Sequence, residues 1–357
     1  NFDLNAVAVY GNYAYLATDD DSQELVVIRL SDYTQVNSYD VPSNSNANDI
    51  FVTNSIAYIV TASSGSEEFY ALNISNPEGA ITELGKTEMN STVFGVSVHN
   101  GYAFMALSSN SRELAVVRLS DYSEVNSYNL SGTANMTSIA ILNNNAYLTR
   151  NLSSEPEFYG FDISSPEGTL SILGSAGTNS NANDVFISED GKAYVATEYD
   201  DQELYVFDTT SYNEVGSFNV SGNGNAEAVY FAGAYVYVGT TNNNPEITII
   251  RGGQGGWSAL ELVGSYNSDE GINPNDVFVD GNYAYLVTQN NTGGSDPEFY
   301  VVDISSSTNP ILSGSIDFGF DINKVYVDGN YAYLATDSNS KELIVVDITN
   351  KASPSEV

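Results

Sequence analysis

Apolar and polar positions alternate along almost the whole chain in short runs separated by turn residues. The stretch from Lys324 to Asn350, KVYVDGNYAYLATDSNSKELIVVDITN, shows the unit. An alternating run ends at a Gly-Asn turn, a nearly continuous apolar run follows, and a polar loop leads into a third apolar run. Short runs rich in Val, Ile and Tyr between turn residues predict strands, and no 3.6-residue spacing supports helices. The first half of this unit recurs at Asp276 to Thr288 (DVFVDGNYAYLVT), the second at Glu298 to Ser305 (EFYVVDIS).

Aligning the second strand of each unit on its small residue gives Ala14, Ala57, Ala103, Ala146, Ala193, Val236, Ala284 and Ala332. The spacing is 43 to 48 residues, which makes eight repeats. A period in the forties with several strands per repeat predicts propeller blades. The fold class is all-β: an eight-bladed β-propeller of four-stranded antiparallel blades, forming one domain over residues 1–357. Blades fall at about 5–41, 48–88, 94–130, 137–176, 183–220, 227–267, 275–317 and 322–357 plus 1–4. In the second blade, strand A is Asp49 to Val52, B is Ala57 to Thr61, C is Glu68 to Ile74 and D runs from about Ile81 to Thr87. Gly11-Asn12, Gly281-Asn282 and Gly329-Asn330 predict tight A-to-B hairpins. The eighth unit ends at Ser353 to Val357, short of a full strand D. Ser355-Glu356-Val357 followed by Asn1 to Leu4 matches Ser123 to Leu130, so the N-terminal strand is expected to complete the last blade and close the ring.

A second period lies over the first. RELAVVRLSDYSEVNSYNL (Arg112 to Leu130) repeats QELVVIRLSDYTQVNSYDV (Gln23 to Val41), and PEFYGFDISSPEG (Pro156 to Gly168) repeats EEFYALNISNPEG (Glu67 to Gly79). Odd and even blades therefore differ, and the sixth departs most, with GGQGGW (Gly252 to Trp257) in place of the usual turn.

Leu343 to Ile348 and Phe299 to Ser305, each after a Gly-Asn-Tyr-Ala-Tyr-Leu strand, resemble the LVIVD-repeat family of bacterial and archaeal surface proteins. Arg29, Arg118 and Arg251 replace the motif Asp in three blades and Asn73 in a fourth. The resemblance implies a β-propeller, secreted or attached to the cell surface, and carries over no catalytic residue.

Composition narrows the function classes. Forty-six acidic side chains against ten Lys and Arg give a net charge of −36, which repels nucleic acid and anionic lipid and attracts cations. No Cys is present, so thiolate chemistry and disulfides are excluded. No apolar run reaches the roughly 18 residues of a membrane span. The chain begins at Asn1 rather than Met, as a processed or excised segment does.

Candidate chemistry lies in the loops. The D-to-A loops deliver Asn48-Asp49, Asn183-Asp184 and Asn275-Asp276 to the starts of inner strands, with Asn5 and Asn323 at equivalent positions. A ring of such oxygens suits Ca²⁺ or a glycan; the competing reading is that these side chains cap local backbone. Asp19-Asp20-Asp21 and Asp200-Asp201 in B-to-C loops are the blade-specific metal candidates, though they miss EF-hand spacing. A Glu precedes strand C in every blade (Glu24, Glu68, Glu113, Glu157, Glu203, Glu246, Glu298, Glu342), and such recurrence points to a structural bond rather than catalysis. His99, the sole histidine, falls at an A-to-B turn, which argues against a triad or zinc site. Carboxylate chemistry, as in a glycosidase pair, is the remaining enzymatic option. Sequons at Asn73, Asn90, Asn129, Asn135, Asn151, Asn219 and Asn290 fall at loops, strand ends or outer strands, as glycosylation requires. The expected function is a non-enzymatic extracellular interaction or assembly module of a surface layer, filament or adhesin. Its partners are expected to be a protein or glycan at the cell surface, or further copies of itself. The alternative is a secreted Ca²⁺-dependent hydrolase or glycan-binding propeller.

Overall fold

The computed structural model describes residues 4–357 except 21, 31–33, 43–44, 64, 110, 133, 152–155, 221–223, 233, 242–244, 246, 254–255, 268–273, 291–295, 337, 339–340 and 342. Among the described residues there is no helix. Eight four-stranded antiparallel sheets follow one another along the chain, each in simple A-B-C-D order, and form the blades of a β-propeller. The second blade has its strands at Ala47–Thr53, Ile56–Thr61, Phe69–Asn73 and Thr82–Thr87, within two residues of the bounds that the alternation predicts.

The hairpin turns follow their residues. Gly11, Gly281 and Gly329 take φ near +60° while the following Asn does not, the sign pattern of a type II′ turn. Where Gly is absent from the first position, Asn54-Ser55 and Asn100-Gly101 both take positive φ, as a type I′ turn requires.

By packing, the chain divides into two compact units. The first comprises residues 1–148, 153–155 and 161–172, and the second residues 149–152, 156–160 and 173–357. Within each unit the core lies between adjacent blades. In the first unit, Tyr15, Ala17, Leu25 and Val27 of blade 1 pack on Ile50, Ala57, Ile59, Tyr70 and Leu72 of blade 2. The intervening side chains of blade 2, Tyr58, Val60, Phe69 and Ala71, turn the other way onto Ala103, Met105, Ala115 and Val117 of blade 3. Strands B and C are thus covered on both faces, which is why they read as continuous apolar runs instead of alternating ones. The aligned small residue of strand B is fully buried in every blade. The second unit repeats this arrangement between blades 5 and 6, 6 and 7, and 7 and 8.

The outer strands show how neighbouring blades interlock. A Cβ built on Gly85 in strand D of blade 2 would lie 1.8 Å from the ring of Tyr122, and one on Gly174 in blade 4 would lie 2.0 Å from that of Tyr212. Both tyrosines occupy the C-to-D turn of the following blade with φ near +55°. Only Gly leaves room there for the ring.

In the eighth sheet the fourth strand is the two-residue Ser355–Glu356, which pairs with Asp347 and Val346. The predicted shortness of this strand is therefore observed. Leu4 opens the inner strand of blade 1, opposite Thr18, and the rest of the expected closing segment, Asn1 to Asp3, lies outside the described residues.

Candidate functional site

The Glu that precedes strand C is a latch. Glu24, Glu68, Glu113, Glu157, Glu203 and Glu298 are all nearly or fully buried. One carboxylate oxygen of each accepts a backbone N–H just beyond strand D of its own blade: from Val41 at 2.8 Å, Met89 at 2.7 Å, Leu130 at 2.7 Å, Thr178 at 2.8 Å, Val220 at 2.8 Å and Phe318 at 2.6 Å. Burial pushes Glu24, Glu68 and Glu203 up to about 7 against the pull of those N–H donors, and Glu298 is raised for the same reason. Glu246 and Glu342 lie outside the described residues. The structural role inferred from the eightfold recurrence is the one observed. A partner group missed in the sequence is the Thr ending strand B. Thr18, Thr197, Thr240 and Thr336 donate their hydroxyls to the carbonyl of the residue before the Glu. In blade 4 the position belongs to Arg150, fully buried, whose guanidinium donates to the Pro156 carbonyl and the Tyr159 hydroxyl, both at 2.8 Å.

The Asn-Asp pairs are clasps between neighbouring blades. Asn48 donates Nδ2 to the Val93 carbonyl at 2.8 Å, and Asp49 accepts the Val96 N–H at 2.9 Å with Oδ2 and that of Ile50 with Oδ1. Asn183-Asp184 engages Ala226 and Val229 in the same way, and Asn275-Asp276 engages Ile322 and Val325. Asn5 reaches the Ala47 carbonyl at 2.8 Å. Backbone capping, the competing reading of these residues, is what the geometry displays.

The loop acids are similarly engaged. Asp20 accepts from the Ser22 N–H and hydroxyl and from Gln23 Nε2; slight burial opposes them, but these donors hold its carboxyl below the ordinary range. Asp21 lies outside the described residues, and Asp200-Asp201 occupies a turn closed by the Gln202 N–H on the Tyr199 carbonyl. Among the described residues no three His, Asp or Glu side chains gather as metal ligands would. The motif Asp that ends strand C makes a turn. Asp162, Asp303 and Asp347 accept the N–H two residues on, which lowers their pKa. Where Arg replaces it in blades 1 and 3, the guanidinium crosses to the next blade, Arg29 meeting Glu78 and Arg118 meeting Glu167, each at 2.8 Å, whereas Arg251 of blade 6 meets Glu261 of its own blade at 3.3 Å. His99 sits at its turn with Nε2 2.8 Å from Asn100 Nδ2. No sequon Asn is buried, and Asn90, Asn129 and Asn219 are exposed.

Residues that differ between blades gather on the inner strands of the second unit. Phe186, Tyr230, Phe278 and Tyr326 occupy one register position on Ala182–Ile187, Ala226–Ala232, Pro274–Asp280 and Ile322–Asp328. Each ring meets the next at centroid distances of 5.3, 5.5 and 5.3 Å, and all four are partly exposed. Two positions earlier stand Asp184, Asp276 and Lys324, with Lys324 Nζ 3.8 Å from Asp276. Burial raises the Asp276 pKa and Asp184 adds to the shift, with Lys324 opposing; Glu227 is raised by burial and then by Glu198. Two clefts open at the other end of these blades, among A-to-B and C-to-D turns. One, of about 450 Å³, is lined by Phe186, Ile187, Ser188, Glu189, Asp190 and Phe231. The second, of about 240 Å³, lies beside Tyr235, Tyr237, Asn282 and Ser305. They sit opposite the face that loop composition favours. Trp257, in the divergent blade-6 hairpin, packs edge-on against Tyr194 at 5.2 Å and Phe231 at 6.0 Å.

Comparison with known proteins places this architecture. A family model described as the LVIVD repeat matches residues 3–38, 273–317 and 321–357. No curated protein sequence matches. Among solved structures, the computationally designed Ika8 protein superposes with a TM-score of 0.76 at 12% identity over 96% of both chains. Dihydro-heme d1 dehydrogenase NirN, in complex with DHE, superposes with a TM-score of 0.73 at 13% identity, over 97% of this chain and 72% of that one. BamB from Moraxella catarrhalis gives 0.57 at 11% identity over 80% of each. At such identities the likeness concerns the fold. The chain is an eight-bladed β-propeller whose first, seventh and eighth blades match the LVIVD repeat.

Proposed function

We propose that this propeller is a non-enzymatic interaction and assembly module of an extracellular cell surface. The observation that carries the reading is the contrast between its polar and apolar groups. The Glu before strand C, the Asp of the Asn-Asp pairs and the Asp ending strand C are held by backbone N–H donors wherever their surroundings are described, while aliphatic side chains stand exposed on outermost strands. Leu84, Ile172, Leu173, Leu262, Ile311 and Leu312 are all more than a third exposed, on strands D of blades 2, 4, 6 and 7. An outer strand with exposed aliphatic side chains offers both an edge and an apolar face to another chain. The net charge of −36 opposes self-association until salt screens it. The seven sequons support an extracellular setting, since none of their Asn residues is buried.

Sedimentation velocity across protein concentration at 0.05 M and 1 M NaCl tests assembly. Association is expected at high salt and should be lost in Leu173→Lys and Leu312→Lys. A single monomer boundary under every condition rejects self-assembly. Labelling of intact cells by antibody against the folded protein tests the location, and signal only after lysis rejects it.

A further inference from the structure

We propose that the cleft on blades 5 and 6 binds an arginine side chain of a partner polypeptide; the proposal rests on the interaction-module reading and names its partner chemistry. The cleft is built by an A-to-B turn whose sequence, Ser-Glu-Asp-Gly, no other blade carries. Ser188-Glu189-Asp190-Gly191 takes the place of the Gly-Asn hairpin, with Gly191 at φ +79° and its N–H bonded to the Ser188 carbonyl at 3.0 Å. Glu189 and Asp190 of this longer turn, both exposed, line the same cleft as Phe186 and Phe231, and Asp190 accepts the Ser188 hydroxyl with one of its two carboxylate oxygens. The two phenylalanine rings lie 6.3 Å apart at 45°. Phe231 is held from behind by Tyr194, stacked at 5.0 Å and 8°, so the floor of the cleft is rigid.

Two aromatic rings and two carboxylates lining one cleft fit a cation. A guanidinium can lie against a ring face while its N–H groups reach a carboxylate, which a neutral or anionic group cannot do. The volume, about 450 Å³, is at the small end for ligand sites and suits one long side chain. The basic residue of the same turn does not fill the role, because Lys192 Nζ is engaged by Asp208 at 3.1 Å. Charge complementarity then selects the occupant: the net charge of −36 steers basic segments toward the protein, and this cleft offers one of their side chains an aromatic seat.

Trp257 provides a reporter, being the only tryptophan and in edge contact with Phe231. The full chain is titrated with the peptide acetyl-Gly-Arg-Gly-amide and with its citrulline counterpart, which keeps the shape and lacks the charge. Tryptophan emission and heat are recorded together. A saturable change is expected with the arginine peptide only. The variant Glu189→Gln/Asp190→Asn should weaken it about tenfold or more, whereas Asp200→Asn/Asp201→Asn, which removes the same charge elsewhere, should alter it by less than about twofold. No saturable signal, an equal response to citrulline, an unweakened Glu189→Gln/Asp190→Asn variant or equal weakening by both double variants overturns the proposal. Any of these would leave the salt-dependent sedimentation of the wild-type chain unaffected, so failure of the cleft and failure of the assembly reading can be told apart.

Discussion

The inner strands of blades 1 to 3 and of blades 5 to 8 share a backbone and contrast at one register position. In the first group it is Ala8, Phe51 and Ser97; in the second it is Phe186, Tyr230, Phe278 and Tyr326, each ring touching the next. The latches do not differ between the groups: Glu24, Glu68 and Glu113 hold their blades as Glu203 and Glu298 hold theirs. A blade therefore folds with alanine or serine at the inner position but retains its buried carboxylate. The aromatic layer is not a requirement of the architecture, which makes it and the adjoining cleft the parts of the second unit free to recognise a ligand. What recurs in every blade belongs to the fold, and what is confined to one group of blades is where function is to be sought.

The largest expected effect tests the shared part. Glu68→Ala and Glu203→Ala each leave a buried N–H without its acceptor and a hole in its place, and each should cost about 3 kcal/mol in denaturant unfolding. Near-equal losses uphold the equivalence of the two groups; a loss below about 1 kcal/mol in one of them would break it. Next come the interlocks. Gly85→Ala and Gly174→Ala drive a methyl into the rings of Tyr122 and Tyr212, and overpacking of this kind costs about 1 to 3 kcal/mol. The double variants Gly85→Ala/Tyr122→Ala and Gly174→Ala/Tyr212→Ala should no longer show that clash.

A weaker effect follows from pH. The folded pKa of Glu24, Glu68 and Glu203 is raised from 4.5 to about 7 by burial. The folded state thus binds these protons more tightly than the unfolded chain, and their contribution is fully present below pH 4.5 and lost as pH rises through 7. Thermal midpoints should be a few degrees higher at pH 5 than at pH 8. Glu68→Gln and Glu203→Gln, which hold the N–H without titrating, should flatten the dependence. Below pH 4 the sign reverses, because Asp208, held at about 2 by the Ser211 N–H and by Lys192, loses its charge as pH falls. A midpoint that rises from pH 5 to 8 would contradict the assignment.

Much of the fold is legible in the sequence because its determinants are local or periodic. The Ala of strand B, the Gly-Asn turns and the apolar runs place every strand of blade 2 within two residues. The recurrence of the pre-strand Glu points to its structural role before any contact is known. The site is less legible, since its determinants join residues more than thirty-five positions apart. Asp49 reaching Val96, or Tyr122 filling the space over Gly85, depends on how blades abut rather than on local pattern. Arg150 looks like a surface residue and is wholly buried, because its carbon stem occupies a strand position and its guanidinium replaces a threonine hydroxyl. The cleft was foreshadowed only by ISEDGK, the one A-to-B turn that departs from the short hairpin by carrying two acids. Its aromatic floor becomes visible when Phe231 of the next blade is set beside it.

The smallest effect separates the groups through their ion pairs. Arg118 in blade 3 spans to Glu167 in blade 4 and also binds Asp121, while the same register position in blade 5 is Asp208, whose partner Lys192 lies in its own blade. The first pair links two sheets and the second joins adjacent strands of one sheet. Both are partly exposed, so screening should weaken both, but only Arg118 couples one blade to another. Arg118→Ala should lower the midpoint slightly at 0.05 M NaCl, by less than either glutamate variant, and not at all at 1 M. Lys192→Ala should lower the midpoint by no more than Arg118→Ala does, and should move Asp208, which keeps the Ser211 N–H, part of the way up toward an ordinary carboxylate pKa, which proton titration by NMR would register. A double cycle of Arg118→Ala with Glu167→Gln should show coupling at low salt. An additive cycle would mean that the contact between these blades rests on packing and backbone clasps alone, and the distinction drawn from the arginine would fail while that drawn from the aromatic layer stood.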